Sequence, residues 1–260
     1  MLAKDSDSGE VDERLFLRSV ARAFQVLEVF GRQAHPLSLR DVALAAGIDK
    51  SAAQRIAQTL LNLGYLERAS KDAGLLPGKK LLDRSFDYLR TNPLIERATP
   101  VLLSLRETTG ERADLSLFDG DSSIYALRLQ SKRETFFATL AGRRIPTFSS
   151  AGGRCCLARL DDDAVQDIIM NSDRKPQTSK TIVDPDAIMK KVEEARHDGY
   201  SCAVEESLIG EVVVAASITH NDGQPVAAIH IAGSLGEWDE QEFRRRFAPL
   251  AIEAARALST

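Results

Sequence analysis

The chain has little cysteine: three residues in 260, at positions 155, 156 and 202. That pattern matches no zinc-ligand spacing and builds no disulfide framework, and adjacent cysteines are badly placed to pair with each other. Buried thiols in a reducing compartment are the expected state. No apolar stretch approaches the ~20 residues that a membrane helix requires, so no membrane partner is expected. The opening MLAKDSDSGEVDE is acidic and polar, unlike a signal or transit peptide. It reads as a disordered tail over residues 1–13 of a cytoplasmic protein. The run GLLPGKK at residues 74–80 falls short of a phosphate loop. Such a loop needs four residues between its glycines and Ser or Thr after its Lys. Here three residues separate the glycines and Lys80 follows Lys79. Glu193 and His197, at helical spacing, read as a solvated face rather than metal ligands. No metal, cofactor or catalytic residue is expected.

What is present is ordinary globular composition, 43% hydrophobic and 28% charged, at a length that suits two domains. Net charge is −4 but unevenly placed. Residues 14–80 hold eleven Lys and Arg against five Asp and Glu, a net +6 that leaves −10 for the remainder. A basic module joined to an acidic one suits nucleic-acid binding at one end only.

Periodicity divides the chain further. In SVARAFQVLEVFGRQ, Val20, Ala23, Phe24, Leu27 and Phe30 recur at 3/4 spacing, with Ser19 as N-cap. Ser38 caps a short helix to about residue 46, with Asp41 placed for a capping box. Gly47 turns the chain, Asp49 caps a second helix over about 50–63, and Gly64 ends it. Tyr65 and Leu66 begin a short strand that returns at Leu75 and Leu76. A helix over about 78–92 offers Leu81, Leu82, Ser85, Phe86 and Leu89 before Pro93 interrupts it. Another runs over about 94–109 to Gly110. The pattern then alternates: a hairpin over 112–130, a strand at 135–140, and a helix from about Ala151. Two helices with acidic starts follow, then a hairpin around an Asn-Asp-Gly turn, then a closing helix. Strands and helices mixed around antiparallel hairpins predict an α+β chain. Its expected parts are a tail at 1–13, a mostly helical winged helix-turn-helix with a small wing at 14–77, a linker helix at 78–92, and an effector domain at 93–260.

A helix-turn-helix requires small residues where its helices approach and a glycine between them. Ala43, Gly47, Ile48, Ala53, Ile56 and Leu60 meet that need. The opposite side of the second helix carries Lys50, Ser51, Gln54, Arg55 and Gln58, types that read base edges or hold phosphates. Ser38, Arg40, Arg68 and Lys71 would add phosphate contacts. The expected partner is double-stranded DNA.

At these residues the chain resembles the IclR family of bacterial transcriptional regulators, from about residue 19 to 258. The resemblance rests on SVARAFQVLEVF, on LRDVALAAGIDKSAAQRIAQTLLNLGYLER and on LLPGKKLLD. It continues through GRRIP, AGGRCCLA, VEESLIGEVVVAASI and VAAIHIAGS. It implies a GAF-like antiparallel sheet flanked by helices, a homodimer or dimer of dimers, a palindromic operator and a small organic effector. By matched positions it implies that Ala151, Gly152, Gly153, Ala203, Val213, His230 and Ala232 line the effector pocket. Positions 203, 213 and 232 are often polar in the family and apolar here. The pocket is therefore expected to be largely apolar with His230 as its lone polar anchor, suited to an aromatic or partly apolar carboxylate. A second reading stays open, a redox sensor or enzyme built on Cys155 or Cys156.

Overall fold

The computed structural model describes residues 15–32, 35–70, 73–130 and 141–260, which form two compact units divided between Tyr88 and Leu89. The expected tail at 1–13 and strand at 135–140 lie outside the described residues.

The first unit contains α1 (Arg18–Glu28), one 3-10 turn (Val29–Arg32), α2 (Leu39–Ala45) and α3 (Lys50–Leu63). A hairpin of β1 (Leu66–Arg68) and β2 (Leu75–Pro77) follows, then the start of α4 (Lys80–Thr91). Local chemistry sets these boundaries. The Ser38 hydroxyl accepts the Asp41 N–H at 3.2 Å and the Asp41 carboxylate accepts the Ser38 N–H at 3.1 Å, a complete capping box. The Ser38 bonds also hold the exposed Asp41 carboxyl below its ordinary pKa. Asp49 caps α3 by accepting the Ala52 N–H, and Gly64 ends it in the left-handed conformation at φ +80°.

The core of this unit gathers Val26, Phe30, Leu37, Val42, Ala57, Leu60, Leu66 and Leu75. Leu37 and Leu75 exchange both backbone hydrogen bonds, which fastens the chain before α2 to the wing. Two expectations for α1 are corrected. Leu17, not Ser19, occupies the N-cap, and it makes no side-chain bond. The buried residues of this segment are Val26, Val29 and Phe30, whereas Val20 and Phe24 are 48% and 59% exposed. The 3/4 pattern therefore mixes two faces, and only the later one meets α3 and the wing. Helix α4 has no buried residue; Leu82 is 70% exposed.

The second unit begins with Leu89 against its core. As expected, the helical pattern is interrupted at Pro93: α4 ends at Thr91 and α5 (Pro93–Thr109) begins anew, Pro93 holding its first turn while Asn92 Oδ1 accepts the Leu94 and Ile95 N–H groups. The strands are β3 (Arg112–Asp119), β4 (Ser122–Leu129), β5 (Arg144–Pro146), β6 (Ser201–Val204), β7 (Glu211–Thr219) and β8 (Pro225–Ser234). They form one antiparallel sheet in the order β5-β4-β3-β8-β7-β6. Strand β6 was not anticipated; its four residues are too few to show a period.

Alternation along β7 and β8 assigns the two faces. Val212, Val214, Ala216, Ala227, Ile229 and Ile231 join a core with α5 and α9 (Glu240–Leu258), filled by Leu102, Phe243 and Phe247. At ~1.5–3 kcal/mol for each large side chain buried, that layer is the main stabiliser of the unit. The opposite face carries Val213, Ala215, Ala228, His230 and Ala232 against α6 (Ala151–Leu157). Helices α7 (Asp162–Asn171) and α8 (Pro185–Asp198) share a further core with α6 through Leu157, Val165, Ile169, Ile188 and Val192.

The glycine of LLPGKK has a packing explanation. A Cβ on Gly78 would lie 2.2 Å from the Gly64 carbonyl oxygen, a backbone atom with no room to yield. Gly78→Ala is expected to destabilise the first unit by ~1–3 kcal/mol, the cost of overpacking. Gly31→Ala, with nothing within 4 Å of its Cβ, is expected to be near neutral. Denaturant unfolding of both variants beside the wild type checks this.

Candidate functional site

The exposed side of α3 forms the first candidate surface. Ala53, Ala57 and Leu60 are buried, which turns Lys50, Ser51, Gln54, Arg55 and Gln58 outward. Positions 50, 54 and 58 form one row and 51 and 55 the next. The structure extends both rows beyond expectation, to Asn62, which accepts the Gln58 amide at 2.9 Å, and to the exposed Thr59. Sequence spacing alone pointed to these two, since they continue the i+4 pattern. Ser38 and Arg40 are exposed at the start of α2, and Arg68 is exposed at the end of β1. Lys71 lies outside the described residues. Packed helices, a tight glycine turn and an outward polar row are what a major-groove reader needs.

The second candidate site is a cavity of ≈ 190 Å³ within the C-terminal unit. Of the seven residues expected to line it, Ala151, Ala203 and Val213 are on its wall. Gly152, Gly153, His230 and Ala232 are not. A Cβ on Gly152 would sit 2.4 Å from the His230 ring, and one on Gly153 would sit 2.3 Å from the Thr147 carbonyl oxygen. These glycines let α6 lie close on the sheet. The Gly153 N–H, moreover, already donates to Ser150 Oγ at 3.0 Å.

The expectation of an apolar pocket with His230 as lone anchor is also corrected. Charged groups bound the cavity: Arg112, Arg128, Arg143, Glu205, Glu206 and Glu211. Arg112 Nε meets Asp114 Oδ2 at 3.0 Å, and its Nη2 meets Glu211 Oε1 at 2.7 Å. Arg128 Nη2 reaches the same Asp114 oxygen at 3.0 Å. Burial opposes the charge on Arg112, but Asp114 and Glu211 outweigh it and raise its pKa. Burial, reinforced by Asp114, pushes the Tyr125 phenol up.

A β-bulge explains why these residues escaped a period-2 reading. Leu115 pairs with Leu127 and Ser116 with Tyr125, so Ala126 is the extra residue. Tyr125 and Arg128, three apart, therefore both reach the cavity, and the Arg128 guanidinium lies 3.9 Å from the centre of the Tyr125 ring. The legible signal was Arg112 and Asp114 two apart at the start of a strand that goes on through Leu115, Leu117 and Phe118.

The cysteines are poor nucleophiles where they stand. All three are buried, and burial pushes Cys155 and Cys202 up to about 12 and Cys156 well above its ordinary value. The Cys155 and Cys156 thiols donate to the Ala215 and Ala227 carbonyls at 2.9 and 3.4 Å. A protonated thiol is neither an efficient nucleophile nor a metal ligand.

His230 hydrogen-bonds Ser116 Oγ through Nε2 at 2.7 Å. Burial lowers its pKa from 6.5 to about 4. The ring is thus neutral in the folded chain at pH 5, while the unfolded chain binds a proton below about 6.5. Its contribution to stability is complete above pH 6.5 and is lost as pH falls towards 4, by ~3 kcal/mol in all. His230→Gln is expected to flatten the stability profile over that window by a comparable amount, measured by urea unfolding at pH 4.5, 5.5 and 7.

Comparison with known proteins matches both parts of the chain. Residues 19–70 match the family model for the IclR helix-turn-helix domain, and residues 86–260 match that for the bacterial transcriptional regulator IclR C-terminal domain. The chain is similar to the Pca regulon regulatory protein of Pseudomonas putida, 29% identical over 94% of this chain and 83% of that one. Among solved structures it resembles the Thermotoga maritima IclR, 24% identical with a TM-score of 0.68 over 94% and 98% of the two chains. It also resembles an IclR homolog from Microbacterium hydrocarbonoxydans complexed with 4-hydroxybenzoate, 21% identical with a TM-score of 0.72 over 93% and 97%. With both domains matched in order along an α+β chain, the protein belongs to the IclR family of bacterial transcriptional regulators, as a DNA-binding regulator with a helix-turn-helix.

Proposed function

We propose that the exposed rows of α3 read a palindromic operator, and that a small organic acid, aromatic or partly apolar, tunes that binding from the C-terminal unit. The observation that carries the first part is the division of α3 into a buried alanine face and an outward Lys50, Ser51, Gln54, Arg55 and Gln58 face. Arg55 and Gln54 are the base readers, able to address guanine and adenine in pairs of hydrogen bonds. Lys50, Ser51, Ser38, Arg40 and Arg68 hold phosphates, with Lys71 assigned the same role from its position in the wing sequence. The effector part is supported by the cavity and by the related protein that binds 4-hydroxybenzoate. A homodimer or dimer of dimers would present two recognition helices to half-sites ~34–36 Å apart. An effector that prefers one arrangement of the dimer shifts the population, and ~1–3 kcal/mol of coupling gives a 5–150-fold change in operator affinity. The chain segment that joins the two units, through α4 and α5, is the route for that coupling. An activity centred on Cys155 or Cys156 is disfavoured by their burial and raised pKa values.

Fluorescence anisotropy on the upstream DNA and on a scrambled fragment tests this. Arg55→Ala is expected to lose ~1–3 kcal/mol on the upstream fragment only. Lys50→Ala is expected to weaken both fragments alike and to reduce the salt slope by about one. Equal binding of the wild type to both fragments would refute sequence-specific reading.

A further inference from the structure

We infer that Arg128 is the carboxylate anchor of the cavity, and that the cavity takes a small monocarboxylate whose far end carries a hydrogen-bond donor. The inference rests on the proposed reading of the C-terminal unit as a sensor. Among the described residues, four arginines border the cavity or back it, and three are accounted for. Arg112 divides its nitrogens between Asp114 and Glu211. Arg154 is engaged on all three nitrogens, by the Phe148 carbonyl and both Glu206 oxygens. Arg143 is exposed, so water serves its charge.

Arg128 differs. Its side chain is 3% exposed and lines the cavity. Among the described residues Nη2 alone has an acceptor, Asp114, which Arg112 shares; Nε and Nη1 are buried without one. Buried guanidinium N–H groups normally find acceptors, and a carboxylate is the group whose two oxygens fit them best. The Tyr125 ring beneath holds the guanidinium plane in place.

Size and polarity narrow the ligand. A cavity of ≈ 190 Å³ exceeds the ~150 Å³ that accommodates a benzene ring and falls below the ~300–1,000 Å³ of drug-sized pockets. One ring or a short chain fits, against the apolar wall of Ile145, Ala151, Ala203 and Val213. Strand order places Arg128 at the β4–β5 side and the acidic residues Glu205 and Glu206 beyond β6. Glu206 is matched by Arg154, so a carboxylate at the first end leaves the other end facing Glu205, which gives Oε1 to the Gly210 N–H and can accept from a hydroxyl with its second oxygen while repelling a second carboxylate.

Isothermal titration of the full chain tests this with 4-hydroxybenzoate, 4-hydroxybenzamide and terephthalate. The wild type is expected to bind the hydroxy acid at least ten-fold more tightly than the amide or the diacid. Arg128→Gln is expected to lose at least ten-fold for the acid, and Arg128→Lys to retain part of the affinity. Arg144→Gln, on the exposed rim of β5, is the control. If Arg128→Gln binds the acid like the wild type, the anchor lies elsewhere and the inference falls. Equal binding of amide and acid, or of diacid and acid, overturns it from the ligand side. That comparison in the wild type decides the matter even if Arg128→Gln does not fold. No binding of any probe, with operator recognition intact, overturns this inference while the regulator reading stands. Acid binding that depends on Arg128 but leaves operator affinity unchanged upholds the anchor and refutes the sensor reading.

Discussion

A guanidinium taken wholly out of water needs an acceptor for its nitrogens, and Arg154 meets that need at 0% exposure. Its Nε donates to the Phe148 carbonyl at 2.8 Å, and its two terminal nitrogens meet the Glu206 oxygens at 2.5 and 2.7 Å. Glu206 in turn accepts the Ile182 N–H at 3.0 Å. One buried pair thus ties together the 3-10 turn before α6, α6 itself, the loop after β6 and the chain entering α8. Removing either partner would leave the other charge buried and unmatched, which costs several kcal/mol. The cavity depends on this arrangement, because α6 supplies one wall and the Glu206 loop another.

The glycine pair beneath that latch shows how packing sets chemistry. Gly152 lies against His230 and Gly153 against Thr147, so α6 sits one side chain closer to the sheet than an alanine would permit. The strand residues below answer with small side chains at Ala215, Ala228 and Ala232. Close contact also keeps His230 dry and neutral.

Much of the first unit was legible because its instructions are local. Ser38, Asp41, Gly47, Asp49 and Gly64 each act within four residues, and the structure places all five as caps or turns. Apart from the short strands β5 and β6, the order of described strands and helices after Arg112 was legible for a similar reason, since Gly and Asn-Asp-Gly turns punctuate clear changes of period. The cavity was not. Its charges are paired across strands distant in sequence, Arg112 with Glu211 and Arg128 with Asp114, and nothing in a linear pattern reports such a pairing. The bulge at Ala126 hid Tyr125 and Arg128 further by breaking the alternation. The glycines of α6 were visible but read as ligand contacts, although steric closeness accounts for them. Helix α1 misled for a different reason: apolar spacing marks an amphipathic face without saying what covers it.

The bulge also has a consequence for inheritance. Elsewhere in the sheet, alternate residues belong either to the α5–α9 layer or to the α6 face, so substitutions can accumulate on one side without disturbing the other. Loss of the codon for Ala126 would restore strict alternation in β4 with both allegiances kept: Leu127 would stand alone opposite Leu115, Leu127 and Leu129 would stay on the α5–α9 side, and Tyr125 and Arg128 would stay on the cavity side. Point changes can therefore retune what the cavity accepts by small steps, and this position is one where the strand can lose a residue without forcing a choice between the cavity and the core.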